Sequence, residues 1–429
     1  MNSNQNLLKI QVGLFGRTNV GKTKFLSMIA DNDFFELKPH TANDTEVIER
    51  KVDLSPIGPI IFLDNVGVSD NSLITELISE NSLKIFERSD VIVLLIESNV
   101  WTDYEEGVVK EVKARRIPFL VVVNKIDETL PTEKFLSKLR AKHCNFFLCS
   151  SVDCADRDMY VAMLKKNLVE LIPQEFFNAI PLVSDFLRPG SLAVLVVSSD
   201  MLAPKGRLII PQVQTIRDCL DNNSVVSIVK DSEYTILLNN LKTNPDIVIC
   251  ESQLALNILP KTPEDVLYTT FAMLSSRYSG GLVDMVRNVL AVEKLQEGDK
   301  VLIAEACNHH AIQDDIGKVK IPRWLKQYKG AEILFDFSSG REYADNLSDY
   351  KLIIHCDACM LNRKEMLLRL QTAREAEVPV TNYGIVIAYL EGILERVLSP
   401  FPEALIQFQN GKAQLKNEMD MRTPYEIIR

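Results

Sequence analysis

The feature that most constrains the fold of this chain is a phosphate-loop pattern placed directly after an apolar segment. Leu8–Phe15 is typical of a buried strand, and Gly16–Thr23, which follows at once, matches the pattern GxxxxGK(S/T) in full. Such a loop connects a strand to a helix, because its backbone N–H groups converge on a phosphate at the helix N-terminus. The pattern therefore predicts an α/β fold with a parallel sheet, and apolar runs that alternate with amphipathic stretches as far as Pro173 favour the same fold.

The residues of this loop have distinct expected roles in nucleotide binding. Gly16 and Gly21 allow the backbone to turn around the phosphates. Lys22 can reach the β and γ phosphates, and the Thr23 hydroxyl can ligate Mg²⁺. We expect Lys22 and Thr23 to contribute to catalysis as well as to binding.

A second motif supplies the metal end of the same site. The strand-like segment Ile60–Leu63 leads into the sequence DNVG, which matches the DxxG pattern and runs from Asp64 to Gly67. Asp64 can hold the Mg²⁺ ion through water, and the Gly67 amide can sense a γ-phosphate. Both residues are therefore catalytic candidates.

A third motif selects the base. The strand-like segment Phe119–Val123 ends in an NKxD sequence, and a short loop after a later strand-like segment stands where GTPases touch the base. The residues expected to bind the base are Asn124, Lys125, Asp127, Ser150 and Ser151. The Asp127 carboxylate can accept two hydrogen bonds from the N1–H and 2-amino groups of guanine, and adenine has no 2-amino group. The order and spacing of these motifs predict GTP as the nucleotide.

This segment resembles the translation-factor-like GTPases that include the tRNA-modification GTPases. The resemblance implies that Asn19 holds a K⁺ ion beside the phosphates. Val68 stands where some GTPases have a glutamine that orients water, and Ala42 stands where the relatives have a threonine for Mg²⁺. We therefore expect a slow, K⁺-stimulated GTPase, and the sequence leaves open whether Ala42 permits efficient hydrolysis.

Charge and hydropathy argue against two classes of function. The 429 residues carry a formal net charge of −10, with a pI near 5.2, whereas a nucleic-acid binder needs a basic face. No run of about 18 or more apolar residues occurs, and the polar start Met1–Gln5 does not resemble a signal peptide. We expect a cytoplasmic protein that binds neither nucleic acid nor membrane.

Three cysteines and two histidines form a metal-ligand pattern in the second half of the chain. They read Cys-x-His and, after 45 intervening residues, His-Cys-x-x-Cys: Cys307, His309, His355, Cys356 and Cys359. The strand-like segments Val301–Ala304 and Lys351–Ile354 end just before these clusters. Because the carboxyl ends of parallel strands meet at one edge of a sheet, we expect the two clusters to converge.

The identity of this metal site remains open from the residues alone. A closed zinc site is chemically reasonable, although the common zinc-finger spacings are shorter. Three cysteines also suit a [4Fe–4S] cluster whose fourth iron has an exchangeable ligand, with candidates among His309, His310, His355 and Glu305. Alternatively, His309 and His355 donate hydrogen bonds to the cluster sulfurs. Asp357, which lies between two of the cysteines, could lower the potential of a cluster or offer another ligand, although a solvated loop aspartate is the more frequent case.

The whole arrangement resembles the [FeFe]-hydrogenase maturation GTPases of the HydF family. The likeness includes Ala203–Arg207, Ile321–Leu325 and Met360–Arg363 in addition to the GTPase motifs and the CxH…HCxxC pattern. It implies a [4Fe–4S] domain that holds a two-iron precursor, with CO, cyanide and a dithiolate bridge, for transfer to the apo-hydrogenase. It also implies three kinds of partner: two radical S-adenosylmethionine maturation enzymes, the apo-hydrogenase, and a second copy of this chain in a homodimer.

Together these observations predict an α/β chain of three domains. The expected order is a P-loop GTPase domain at 1–173, a small βαβ dimerisation domain at 174–262, an α/β cluster domain at 263–402 and a polar tail at 403–429. The function expected is a GTP-binding scaffold and carrier in hydrogenase maturation. The alternative is a stand-alone GTPase with a redox-sensing or structural zinc site.

Overall fold

The computed structural model describes most of the chain and divides it into two compact units. The units are Met1–Ala179 and Ile180–Arg429. The described residues are 10–30, 35–37, 47–54, 57–65, 80–153, 155–172, 181–198, 208, 210–306, 315–340, 343, 346–357, 361 and 363–422. Both units combine helices with largely parallel sheets, so the predicted α/β class is confirmed.

The described strands of the first unit form one sheet of seven strands in the order β2-β3-β4-β1-β5-β6-β7. The strands are β1 Ile10–Phe15, β2 Phe35–Leu37, β3 Val47–Leu54, β4 Gly58–Asn65, β5 Val91–Glu97, β6 Phe119–Asn124 and β7 Asn145–Leu148. Strands β1, β4, β5, β6 and β7 are parallel, and β2 and β3 add an antiparallel edge. Continuous apolar runs such as VIVLLI in β5 are buried throughout, because helices cover both faces of a parallel sheet.

The helices of the first unit follow the strands along the chain. They are Lys22–Ala30, Glu80–Arg88, Asp103–Ala114, Glu133–Ala141 and Arg157–Leu171. Two of them begin at a threonine whose side chain accepts a hydrogen bond from the first turn, Thr102 and Thr132. The buried apolar side chains of this unit form two separate groups, one on each face of the sheet. Val93 belongs to one group and Leu94, the next residue of β5, to the other.

The second unit contains two parallel sheets of four described strands each. The first has the order β11-β10-β8-β9 and the second the order β13-β12-β14-β15. The strands are β8 Leu192–Val197, β9 Val225–Lys230, β10 Ile247–Cys250, β11 Leu267–Thr270, β12 Lys300–Glu305, β13 Leu334–Ser339, β14 Leu352–His355 and β15 Val380–Asn382. Strand β11 pairs with β10 although it lies beyond the predicted limit of the dimerisation domain at residue 262.

Helices surround both sheets of this unit. They are Ile210–Asp221, Tyr234–Asn240, Ala255–Ile258, Phe271–Tyr278, Leu282–Asn288, Ala291–Lys294, Ile321–Lys329, Arg363–Glu375, Tyr383–Leu390, Leu394–Val397 and Pro402–Arg422. One continuous core joins the sheets, with Val194 of β8 and Ile303 of β12 both fully buried in it. The backbones approach closely at Gly384, where an added Cβ would lie 2.3 Å from the Cβ of Ala272.

The last helix, Pro402–Arg422, occupies the segment that the sequence identifies as a polar tail. Its side chains Ala404 and Phe408 are buried in the core of the second unit. These two positions are one helical turn apart, so a mostly polar helix still buries one narrow stripe. None of the described helices combines the length and the apolar character needed to cross a membrane.

Candidate functional sites

The phosphate loop lies between β1 and the helix Lys22–Ala30, as the sequence predicts. Gly21 has φ +100°, and a Cβ there would lie 2.6 Å from the Asn124 amide nitrogen. A Cβ on Gly16 would lie 2.6 Å from the Leu95 carbonyl oxygen. Both positions therefore need glycine. Asn19 is exposed in the left-handed region with φ +64°, a conformation that asparagine tolerates better than most residues.

The ammonium group of Lys22 folds back over its own loop. Its Nζ donates hydrogen bonds to the carbonyl oxygens of Gly16 and Arg17. The backbone N–H of Gly16 donates to the Tyr104 hydroxyl oxygen at 3.2 Å. Lys22 is thus already positioned inside the loop, where phosphate oxygens can replace the carbonyl groups as its partners.

A buried carboxylate that the sequence analysis did not single out supports this loop. Glu105 is fully buried, and its Oε1 accepts a hydrogen bond from Arg17 Nε at 2.8 Å. Its Oε2 accepts from the backbone N–H of Thr102 at 2.6 Å, which completes the capping box of the helix Asp103–Ala114. The Thr-x-x-Glu spacing predicts that cap, but nothing in the sequence indicates the ion pair with Arg17.

The base-binding motifs are joined to the phosphate loop through Asn124. This residue is 1% exposed, and its Nδ2 donates to the Val20 carbonyl oxygen at 2.8 Å. Its Oδ1 accepts from the backbone N–H of Ser151 at 3.0 Å and from the Ser151 hydroxyl at 2.8 Å. Lys125 forms an ion pair of 2.6 Å with Glu97, another contact that sequence reasoning missed. One buried amide therefore fixes the spacing between the phosphate and base loops.

The remaining predicted base contacts lie in the same loops. Asp127 is exposed just after β6, where its carboxylate can meet a ligand. Ser150 is buried, and no described group forms a hydrogen bond with its hydroxyl. The backbone N–H of Ile126 donates to the Cys149 carbonyl oxygen at 3.4 Å, which keeps the two loops adjacent.

Of the two predicted Mg²⁺ ligands, one lies at the carboxyl end of a strand and the other in the helix that follows the neighbouring strand. Asp64, 5% exposed at the end of β4, is paired in register with Leu14 near the end of β1. Thr23 is exposed in the first turn of the following helix. A carboxylate and a hydroxyl suit Mg²⁺, which prefers oxygen ligands. Gly67, Val68 and Ala42 lie outside the described residues.

The second candidate site lies at the carboxyl ends of β12 and β14. The two strands are parallel neighbours with Ala304 opposite His355, which confirms that the segments preceding the two Cys/His clusters end at one edge. The Cys356 N–H donates to the Ala304 carbonyl oxygen at 2.9 Å. The Ala306 N–H donates to the Cys356 sulfur at 3.1 Å, so this thiol lies beside the residue that precedes Cys307.

The full ligand set stays a prediction. Cys307, His309, His310 and Cys359 lie outside the described residues, and within the described ranges no three His, Cys, Asp or Glu side chains form a metal-binding group. The part that is described fits an iron–sulfur cluster, because Cys356 is half-buried and its sulfur accepts an N–H hydrogen bond, as cluster thiolates do.

His355 is buried next to this cysteine and both of its ring nitrogens have partners. Its Nδ1 lies 2.8 Å from the Cys356 carbonyl oxygen, and its Nε2 lies 2.7 Å from Nη1 of Arg369. Arg369, on the helix Arg363–Glu375, also donates through Nη2 to the Gly340 carbonyl oxygen at 2.8 Å. No sequence pattern predicts this contact, because the arginine lies on an ordinary helical face.

Two acidic residues flank the same edge. The Glu305 carboxylate accepts a hydrogen bond from the Tyr383 hydroxyl at 3.2 Å and lies 3.6 Å from the Lys318 ammonium. Burial raises the pKa of the Glu305 carboxyl above its usual value. Asp357 Oδ1 lies 3.4 Å from Nδ2 of Asn382, at the end of β15. Both carboxylates therefore have protein partners.

The described cysteines outside this site behave as apolar core residues. Burial raises the pKa of the Cys149, Cys219 and Cys250 thiols to about 12, and the Cys144 thiol is also buried with a raised pKa. Such thiols are protonated and unreactive near neutral pH. Cys154 lies outside the described residues.

Three family models match successive parts of the chain. The model described as a 50S ribosome-binding GTPase matches residues 11–125. The model described as the hydrogen maturase F dimerization domain matches residues 182–280, and the hydrogen maturase F tetramerization domain matches residues 283–400. The last two together span about half of the chain, and the tetramerization domain contains all five positions of the CxH…HCxxC pattern.

Individual relatives match the GTPase segment. The GTPase Era of Buchnera aphidicola is 26% identical over 137 residues, which are 32% of this chain and 45% of that protein. The tRNA modification GTPase MnmE of Caldicellulosiruptor saccharolyticus is 27% identical over 160 residues, which are 36% of this chain and 34% of that protein. The chain thus spans less than half the length of either relative.

Two solved structures also match part of the chain. A variant of Aquifex aeolicus Era bound to GDP and AlF4⁻ matches 52% of this chain and 93% of its own, at 17% identity and a TM-score of 0.31. The G domain of the T. maritima FeoB iron transporter matches 38% of this chain and 99% of its own, at 17% identity and a TM-score of 0.30.

Proposed function

Because this chain belongs to the hydrogen maturase F family, we propose that it is a GTP-hydrolysing scaffold that carries an iron precursor to the hydrogenase. The observation that carries the proposal is the convergence of Cys356 and the residue before Cys307 at one sheet edge, within the segment that matches the tetramerization domain. The family match supports a GTPase of hydrogenase maturation.

In the first unit, the proposed chemistry is GTP binding and hydrolysis. Lys22 binds the β and γ phosphates, while Thr23 and Asp64 hold the Mg²⁺ ion, which neutralises charge on the phosphates. Gly67 senses the γ-phosphate. Asp127 selects guanine, with Ser150 and Ser151 beside the base. The left-handed backbone of Asn19 presents this exposed side chain at the loop, which is compatible with its proposed role as a K⁺ ligand.

In the second unit, Cys307, Cys356 and Cys359 are proposed to hold a [4Fe–4S] cluster. The cluster would supply one iron whose fourth ligand can be exchanged. The cargo is a two-iron unit with CO, cyanide and a dithiolate bridge, docked at that position. The candidates for the fourth ligand in the free protein are His309, His310, His355 and Glu305.

Self-association is proposed to use the sheets of the second unit, and the two family domains named for dimerization and tetramerization support oligomer formation. Strand β9 is an edge strand with Val225 54% and Ile228 41% exposed. The edge strand β13 exposes Leu334 and Phe337 in the same way. An edge strand with apolar side chains favours pairing with another chain. The two radical S-adenosylmethionine enzymes and the apo-hydrogenase are the proposed hetero-partners.

The test is iron and acid-labile sulfide content, with electron paramagnetic resonance after reduction, on protein reconstituted without oxygen. We expect about four irons per chain, as a single [4Fe–4S] cluster requires. We also expect the signal of the reduced cluster to change when cyanide is added. Zinc without sulfide, or a cluster signal unaffected by cyanide, would instead favour a stand-alone GTPase with a structural or redox-sensing metal.

A further inference from the structure

We propose that His355 is a positioning residue rather than an iron ligand, and that Arg369 fixes it in that role. The pair would hold Cys356 in the orientation that the cluster needs. This inference rests on the proposed function in one respect, which is that a cluster binds at Cys356. It assigns a role to one histidine of the CxH…HCxxC pattern and adds an arginine that lies outside the pattern.

The hydrogen-bond partners of His355 determine which ring nitrogen carries the proton. A guanidinium group can only donate, so Nε2, at 2.7 Å from Arg369 Nη1, must be the acceptor. A carbonyl oxygen can only accept, so Nδ1, at 2.8 Å from the Cys356 oxygen, must be the donor. The neutral ring with its proton on Nδ1 is therefore the one form that satisfies both contacts.

This proton arrangement leaves neither nitrogen available to a metal. The lone pair of Nε2 already accepts a hydrogen bond from Arg369. Nδ1 carries its proton toward the Cys356 carbonyl oxygen, and a nitrogen must be deprotonated to bind iron. Because His355 is 0% and Arg369 6% exposed, water cannot readily replace either partner. Ligation by His355 would require the buried pair to separate.

Three hydrogen bonds, one of them from His355, hold Cys356 in place. Its N–H donates to Ala304 on β12, its carbonyl oxygen accepts from His355, and its sulfur accepts from the Ala306 N–H. Two of these contacts come from the segment that leads to Cys307. His355 supplies the third, so the histidine orients the peptide that follows the cysteine. Replacing a side chain that holds a ligand in this way typically lowers metal affinity or activity by about 10- to 100-fold.

Arg369 is itself held by neighbouring elements. Its Nη2 donates to the carbonyl oxygen of Gly340, just after β13. The Gly340 N–H in turn donates to the backbone carbonyl oxygen of Glu305, at the end of β12. The guanidinium carbon lies 4.8 Å from the centre of the Tyr343 ring, which meets the His355 ring edge-on at 6.2 Å. Arg369 therefore links the carboxyl ends of β13 and β14, and the Gly340 amide links the end of β13 to that of β12.

The test compares His355→Asn, Arg369→Met and their double variant with an Arg374→Met control. Arg374 lies on the same helix, is 74% exposed and pairs with Asp284 on the surface. The measurement is the rate at which reconstituted protein loses iron to a chelator. We expect both single variants to lose iron about 10-fold faster or more, the double variant to lose it no faster than the singles, and the control to match the parent. Iron loss from Arg369→Met at the parent rate would overturn the proposal.

A spectroscopic measurement separates positioning from ligation. In protein labelled with ¹⁵N-histidine, we expect any strong nitrogen coupling to the reduced cluster to persist in His355→Asn. A strong coupling that disappears in His355→Asn would overturn the proposal, because it would identify His355 as a ligand. If Arg369→Met does not fold, Arg369→Lys retains one donor and should lose iron at an intermediate rate.

The outcome remains informative if the parent binds no cluster. In that case the proposed function fails, and the buried pair is tested by ¹⁵N resonances of the histidine rings in the metal-free chain. The resonances of His355 are assigned by their disappearance in His355→Asn. In the parent we expect a single tautomer, protonated at Nδ1, and in Arg369→Met we expect a mixture of tautomers. A mixture already present in the parent would contradict the proposed pairing.

Discussion

Replacement of Glu105 by glutamine should weaken both the first unit and its affinity for GTP. The two oxygens of this buried carboxylate accept three hydrogen bonds, one from Arg17 Nε at 2.8 Å and two from the N–H and hydroxyl of Thr102, each at 2.6 Å. Glutamine has the same shape, but its amide nitrogen can only donate. At least one donor on Arg17 or Thr102 therefore loses its present acceptor.

The size of the effect follows from these contacts. A hydrogen bond to a charged group contributes about 1.5–3 kcal/mol to stability. For a domain of this length, a loss of that size lowers the melting temperature by about 3–12 °C. Because Arg17 belongs to the phosphate loop, the loss of its anchor should also weaken GTP binding by shifting the loop that surrounds the phosphates.

The assay combines calorimetric melting with titration of a fluorescent GTP analogue. The matched control is Glu106→Gln, the next residue of the same helix, whose exposed carboxylate pairs with Lys142. An exposed pair contributes about 0–1 kcal/mol, so this control should melt close to the parent and bind GTP normally. The reasoning is refuted if Glu105→Gln melts with the control and binds the analogue as tightly as the parent.

Three further predictions follow from the two units. Lys22→Ala should abolish GTP binding in titration but leave iron content unchanged, because the phosphate loop and Cys356 lie in different units; loss of iron would contradict this independence. GTP turnover should be faster in K⁺ than in Na⁺ because of Asn19, and equal rates would remove that role. Burial raises the pKa of Glu391 from its usual 4.5 to about 7, so the folded state binds this proton more tightly than the unfolded state. As pH rises from 4.5 to about 7, the melting temperature of the parent should therefore fall relative to that of Glu391→Gln. Melting temperatures that change in parallel with pH would refute this prediction.

Local sequence patterns predicted the elements that carry the nucleotide motifs. Apolar runs bounded by motif residues indicated β6 and β7, and the structure has them at Phe119–Asn124 and Asn145–Leu148. The strand-end rule predicted that the segments preceding the two Cys/His clusters end at one edge, and β12 and β14 do so as parallel neighbours. These features depend on neighbouring residues or on a general property of sheets, and both can be read from one sequence.

Contacts between distant residues could not be predicted in this way. Glu105 supports a loop 88 residues earlier, and Arg369 contacts His355 from a helix whose pattern looks ordinary. The helix Pro402–Arg422 appeared polar because its buried stripe is narrow, with Phe408 as its largest member. In each case the partner is defined by packing in three dimensions, and a single sequence contains no period or spacing that identifies it.

The most direct test of the carrier proposal is activation of an apo-hydrogenase. The chain would be purified from cells that also produce the two radical S-adenosylmethionine enzymes, incubated with apo-hydrogenase, and hydrogen evolution measured. The account predicts activation by the parent chain and by the Arg374→Met control, and none by Cys356→Ser, which lacks a thiolate at the sheet edge. Equal activation by Cys356→Ser, or no activation by parent chain that contains the cluster, would contradict it.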